Sequence, residues 1–299
     1  MYALELHDVT KTYGKSRGID NISLSIKQGE VFGFLGPNGA GKSTTINTML
    51  DLLRPNSGSI SIFGLDSHDD SVAIRHKIGY LSGDMATDPT LTGKQYLSYA
   101  AHLHGGVESK KIKELVSRLN CETDKKIKQL SRGNRQKVGL VAALMHDPDL
   151  LILDEPTSGL DPLVQGQFNQ IIRERKRAGK TTFMSSHVLS EVQSICDRVG
   201  FIRDGKLIRV SPLAELLENT PRHVSVVYTG APPDSQLKTL SGVSGMSGQG
   251  SRRYFTYRGN YNELMRVLAT KPIKDLQIAE PPLDELFMEY YQTSEADHV

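Results

Sequence analysis

The chain has 299 residues, 38% of them hydrophobic, and 36 basic against 34 acidic side chains leave a net charge of +2. That length allows one large α/β domain, or one domain with a smaller appendage. The near-neutral balance gives no global reason to expect nucleic acid or a membrane surface as partner. Cys121 and Cys196, the only cysteines, lack metal-ligand spacing, which reads as buried apolar positions in a reducing compartment. No apolar run approaches the roughly 18 residues that a spanning helix needs. The N-terminus alternates like a strand and has no signal-peptide pattern, so the expectation is a cytoplasmic chain.

In chain order, residues 4–10 and 22–27 read as strands around a turn at 14–18. The apolar run 31–35 reads as a strand, and a helix-like run over 43–53 follows it closely. Short strands are expected at 59–63 and 78–81. Residues 92–145 show helical periodicity with lysine-rich outer faces, the pattern of a helical insertion. Strand character returns at 150–154 and 181–185, with a helix at 163–177 between them. Such β-α-β alternation implies a parallel sheet with crossover helices. Residues 201–208 read as a hairpin turning at Asp204-Gly205. Beyond Pro212 the composition shifts. Strands are expected at 224–228 and 253–257, a Gly/Ser-rich loop at 241–251, and a closing helix from Pro282 to about Gln292.

Between the strand at 31–35 and its helix lies Gly36-Pro37-Asn38-Gly39-Ala40-Gly41-Lys42-Ser43-Thr44-Thr45, with the spacing G-x-x-x-x-G-K-S. Glycines at these positions let backbone N–H groups turn inward on phosphate oxygens. Lys42 then supplies a charge near the β- and γ-phosphates, and Ser43 a hydroxyl for Mg²⁺. The helix N-terminus faces the same anion. A phosphate loop also needs a carboxylate for Mg²⁺ and a group to activate water. Leu150-Leu151-Ile152-Leu153-Asp154-Glu155 supplies both at the C-terminal end of a buried strand. Asp154 is placed to orient the metal's water shell, and Glu155 to act as general base.

With these motifs the chain resembles the ATP-binding-cassette family, and Leu130-Ser131-Arg132-Gly133-Asn134-Arg135-Gln136 makes the match specific. It is similar to that family's L-S-G-G-Q signature, with Arg132 and Asn134 departing from it and Ser131 and Gly133 kept. The resemblance implies further roles. Tyr13 is the aromatic that stacks on adenine. Ser158-Gly159-Leu160-Asp161 is the loop that communicates between two nucleotide sites. His187 bonds the γ-phosphate and positions the water. Gly83 stands where the family has a metal-contacting glutamine, so Asp84 or a water would have to serve there. The implied fold is an α/β P-loop NTPase-type cassette over 1–211, with a mostly parallel core sheet, an antiparallel β subdomain and a helical insertion at about 84–146. A small α+β appendage fills 212–299.

In the family, the signature reads the γ-phosphate held by another copy. Ser131, Gly133, Asn134 and Asp161 would therefore contact ATP in trans, in a homodimer that sandwiches two ATP molecules. The implied function is the ATPase subunit of a transporter whose integral membrane permease is a separate chain. Such a subunit lies on the cytoplasmic face of the membrane, with ATP and Mg²⁺ as cofactors and no nucleic acid. The segment Pro281-Pro282-Leu283-Asp284-Glu285-Leu286-Phe287-Met288-Glu289 resembles the close of ATPase subunits from two-component drug and antibiotic exporters. The alternative is a cassette ATPase acting on ribosomes or nucleic acid, but those carry two cassettes or a long coiled-coil insertion.

Overall fold

A computed structural model of the chain describes residues 1–14, 16–83, 87–219 and 221–281. The chain opens with β1 (Tyr2–Tyr13) and β2 (Ser16–Lys27), which pair as one long antiparallel hairpin. Both run past the expected limits, because pairing carries the ladder into the polar ends that alternation alone did not mark. Next come β3 (Val31–Leu35) and α1 (Lys42–Met49). This helix stops short of residue 53: Asp51 is left-handed, and the N–H groups of Leu52 and Leu53 fold back onto the Asn47 carbonyl.

Then follow β4 (Ser57–Ile62), β5 (Leu65–Asp66), α2 (Ser71–Lys77) and β6 (Ile78–Leu81). The helical insertion holds α3 (Gly93–Leu103), α4 (Ser109–Arg118) and α5 (Arg132–Leu144). A capping box between Thr92 and Gln95 starts α3. After it come β7 (Leu150–Asp154), α6 (Pro162–Arg177), β8 (Thr181–Ser186), α7 (Leu189–Gln193), β9 (Arg198–Arg203) and β10 (Lys206–Pro212). Asp161 caps α6 and Pro162 occupies its first turn, where a missing N–H costs nothing. Asp204 and Gly205 both take positive φ, the conformation of a tight two-residue hairpin.

Two sheets organise this part. β2-β1-β4-β5 is antiparallel; β10-β9-β3-β8-β7-β6 is parallel except at β10. Every residue of β3, β7 and β8 is buried. These strands are sandwiched on both faces, which is why β3 and residues 150–153 of β7 read as apolar runs; in β8 the polar Thr181, Thr182, Ser185 and Ser186 are buried as well. Phe32 and Phe34 pack on Phe183, and residues from both sheets share one core with Ile46 and Met49 of α1.

The chain divides into two compact units between Leu213 and Ala214. After α8 (Leu213–Asn219), the second unit runs β11 (Arg222–Tyr228), α9 (Asp234–Thr239), β12 (Val243–Ser247), β13 (Arg252–Tyr257), α10 (Tyr261–Leu268) and β14 (Ile273–Ala279). Its sheet order is β12-β13-β11-β14, antiparallel throughout. A β-α-β-β-α-β chain in that order is the ferredoxin-like arrangement. Val224, Val226, Tyr228, Phe255 and Tyr257 pack against Leu237 of α9 and Leu264 and Leu268 of α10. Arg253 donates through Nε and Nη2 to the two carboxylate oxygens of Asp234, tying β13 to α9.

The stretch read as a Gly/Ser loop holds β12, an edge strand kept by its ladder to β13 rather than by propensity. The closing helix from Pro282, like Asp84, lies outside the described residues. Among the described residues no helix is long and apolar enough to cross a membrane.

Candidate functional site

The site forms where β3, β7 and β8 end side by side. Leu35 registers with Ser186, and Asp154 with Ser185. β3 delivers Gly36, whose N–H donates to the Ser186 carbonyl at 3.2 Å. A Cβ on Gly36 would stand 2.4 Å from the Ile202 carbonyl, so only glycine lets the loop leave the sheet here. Gly39 and Gly41 take φ of 80° and 109°, which L side chains resist, and Gly41 starts α1 without any side-chain cap. The N–H groups of that first turn are thus left for an anion.

Lys42 is 5% exposed. Its ammonium donates to the carbonyls of Gly36 (2.8 Å) and Pro37 (3.1 Å) and stands 3.5 Å from Glu155 Oε1. The Ser43 hydroxyl donates to Asp154 Oδ2 at 2.7 Å, and Ser185 donates to Asp154 Oδ1 at 2.5 Å. Both oxygens of this buried carboxylate are therefore held. Sequence reading missed Ser185. It also accepts the Glu155 N–H at 3.0 Å, so one hydroxyl orients two successive carboxylate residues. His187 Nδ1 lies 3.2 Å from Glu155 Oε1, and the Glu155 side chain is partly exposed.

Tyr13 ends β1 with 46% exposure. A Cβ on Gly18 would touch the Tyr13 ring at 2.9 Å and the Thr44 methyl at 3.2 Å, so the tyrosine and the start of α1 share one small gap. Pro37 is half-buried, and Asn38 is exposed on the loop. Ala40 is buried, its N–H on the Pro37 carbonyl and its own carbonyl taken by the Gly205 N–H.

Two of the residues expected to contact ATP have their side chains engaged within the chain. Thr45 is fully buried and spends both its N–H and its hydroxyl on the Gly41 carbonyl, so that side chain faces the core rather than a phosphate. Asn134 gives its amide N–H to the Glu122 carbonyl at 2.6 Å and takes the Glu122 N–H at 2.8 Å. Its side chain is committed to the loop beneath α5 instead of reaching outward.

The signature residues gather around α5. Ser131 caps the helix, accepting the Asn134 N–H at 3.2 Å. A Cβ on Gly133 would stand 2.2 Å from the Gly159 carbonyl, so the first turn of α5 lies directly on the loop after β7. Asp161 accepts the Val164 N–H at 3.0 Å and faces Lys137 at 3.6 Å; that N–H bond, with the Lys137 charge adding to it, lowers the Asp161 pKa. A cavity of about 560 Å³ between α3 and α4 is lined by Leu97, Ala101, Ile112 and Val116, and none of the motif residues reaches it.

The donor set suits Mg²⁺. Among the described residues no cluster of three or more His, Cys, Asp or Glu could cage a metal. Mg²⁺ keeps several waters and takes one or two carboxylates beside substrate phosphates, which the paired Ser43 hydroxyl and Asp154 carboxylate match. A Cβ on Gly83 would lie 3.4 Å from Asp154 Oδ2, so the backbone itself runs close to that carboxylate there.

Residues 19–158 match the family described as ABC transporter. The chain is 38% identical to the bacitracin transport ATP-binding protein BcrA of Bacillus licheniformis over 220 residues, 73% of this chain and 72% of that one. The chain belongs to the ABC transporter family. It is an ATP-binding cassette of that family and hydrolyses ATP with Mg²⁺. A second member, the uncharacterised ABC transporter ATP-binding protein YhaQ of Bacillus subtilis (strain 168), is 31% identical over 297 residues, 96% of this chain and 97% of that one. That similarity includes the second unit. Among solved structures, the dimeric ATP-binding cassette MJ0796, in a post-hydrolysis state bound to ADP and Pi, superposes with a TM-score of 0.65 at 28% identity. It covers 70% of this chain and 98% of that one.

Proposed function

We propose that this cassette is the ATPase of a two-component exporter, working as a homodimer on the cytoplasmic face of a membrane beneath a separate permease. The backbone of the loop from Gly36 to Thr44 and the Lys42 ammonium hold the phosphates, and Tyr13 stacks on the base. Ser43 and Asp154 hold Mg²⁺, which neutralises phosphate charge when bound. Glu155 takes a proton from the attacking water, and His187 orients that water and the γ-phosphate. Ser131 and Gly133 of a second copy close each site, with Asp161 signalling between them.

The observation that carries this reading is the position of Glu155. Its carboxylate sits between Lys42 and His187, one residue beyond the carboxylate bound to Ser43. A base so placed faces the water next to the γ-phosphate that Lys42 marks. Export of a drug or antibiotic is supported by BcrA, a bacitracin transport protein, and by the family-like segment that opens at Pro281. In Glu155→Gln we expect ATP binding to persist, hydrolysis to fall by about 100- to 10,000-fold, and ATP to trap a dimer visible by light scattering. Ordinary turnover in that variant would remove Glu155 from the role.

A further inference from the structure

Gln136 sits one turn into α5, three residues past Gly133 and on the same helical face. It is 5% exposed, and its Nε2 donates to the Glu155 carbonyl at 3.0 Å. Glu155 has a φ of 49°, a left-handed conformation that a side chain larger than glycine adopts only when its surroundings impose it. Those surroundings can be named. The Glu155 N–H is held by Ser185 of β8, and its carbonyl by Gln136 of α5 and the Ser158 N–H at 3.2 Å. Of these, only Gln136 comes from the helical insertion.

Two more contacts run along the same seam. Gly133 presses backbone to backbone on Gly159, and Lys137 faces Asp161 at 3.6 Å. The start of α5 is thus fastened to the loop after β7 near residues 155, 159 and 161. A close-packed seam of this kind passes displacement on rather than absorbing it.

We propose that Gln136 is a positioning residue: it ties the helix that reads the partner's nucleotide to the general base of its own chain. The inference rests on the reading of Glu155 as that base and of Ser131 and Gly133 as the in-trans contacts. When the partner's nucleotide draws the start of α5 toward it, the Gln136 amide carries the Glu155 backbone along, and the carboxylate reaches its working position. Each site therefore reaches its full rate only when its own chain also grips the other nucleotide. ATP binding itself, made by the loop at Gly36, does not pass through Gln136.

The test uses the full chain with Gln136→Met, which keeps the volume and removes the donor, and Gln136→Asn, which keeps the amide but falls short of the carbonyl. For both we expect kcat to fall about 10- to 100-fold, the size of effect that small misplacements of a reacting group produce. ATP affinity by equilibrium fluorescence should change less than about twofold, and the Hill coefficient of hydrolysis should drop toward one. Adding Gln136→Met to Glu155→Gln should slow the residual rate no further, because both changes act through the same carboxylate.

Unchanged kcat and Hill coefficient in either folded variant would overturn the proposal. So would equal slowing in the Glu155→Gln background, the mark of a merely structural role. Ordinary turnover by Glu155→Gln alone would instead overturn the reading beneath it, which keeps the two failures apart.

Discussion

The parallel core sheet and the antiparallel sheet of the second unit both bury aromatic side chains, yet they offer solvent different things. In the core sheet β3, β7 and β8 run the same way. Gly36, Asp154 with Glu155, and Ser185 with His187 thus arrive together at one edge. In the second unit neighbouring strands alternate in direction, so their ends scatter. What that sheet presents is a polar face with His223, Ser225, Tyr254 and Gln277 along a shallow depression. Aligned strand ends bring a carboxylate pair, an ammonium and an imidazole within a few ångströms here. A sheet with one face packed on helices can be stable without assembling such a constellation.

Each unit holds a core cluster of its own. Leu264 of α10 is fully buried in the second unit's own cluster. Leu264→Ala should cost that unit about 2–5 kcal/mol, read as faster hydrogen exchange across β11 and β13. Nucleotide affinity of the first unit should stay unchanged. Loss of ATP binding in step with that exchange would break the comparison.

A smaller effect sharpens it from the other side. His146, at the end of α5, stacks on His104 with ring centroids 3.7 Å apart and donates Nε2–H to the Ile78 carbonyl. Burial pushes its pKa down to about 4, against the opposing pull of that carbonyl. The folded chain thus holds the neutral ring, while the unfolded chain takes up a proton near pH 6.5. The stabilisation is complete above about pH 6.5 and is lost as pH falls toward 4, on the order of 2 kcal/mol after allowing for partial solvent contact. Urea titrations across that window should show the first unit weakening, and His146→Gln should flatten the slope. An unchanged slope in that variant would show that other groups carry the acid response.

Legibility in the sequence followed the same divide. β6 and β7 match their expected limits residue for residue, because each reads as a short apolar run, closed in β7 by Asp154. The phosphate loop, Asp154, Glu155 and His187 were legible because each is a local motif at the end of a buried strand. Gln136 and Ser185 were not, although both lie in quoted segments: their importance is a contact across 19 and 30 residues. The fate of Asn134 was hidden likewise, in a bond to the Glu122 backbone. In the second unit, β12 escaped notice because glycine and serine mask its alternation. α10 left a usable signal in the Asn260 cap and the i, i+4 pair Leu264 and Leu268.

The central claim is that each nucleotide site is built from two copies: the loop at Gly36 from one, and Ser131 with Gly133 from the other. Mixing separately purified Lys42→Ala and Ser131→Arg chains tests it directly, by measuring phosphate release from each alone and from the mixture. Pairing the two variants joins an intact loop to an intact signature at one site and both defects at the other. Neither variant should hydrolyse ATP alone, and the mixture should regain turnover. A mixture as inactive as its parts, with mixed dimers demonstrably formed, would contradict it.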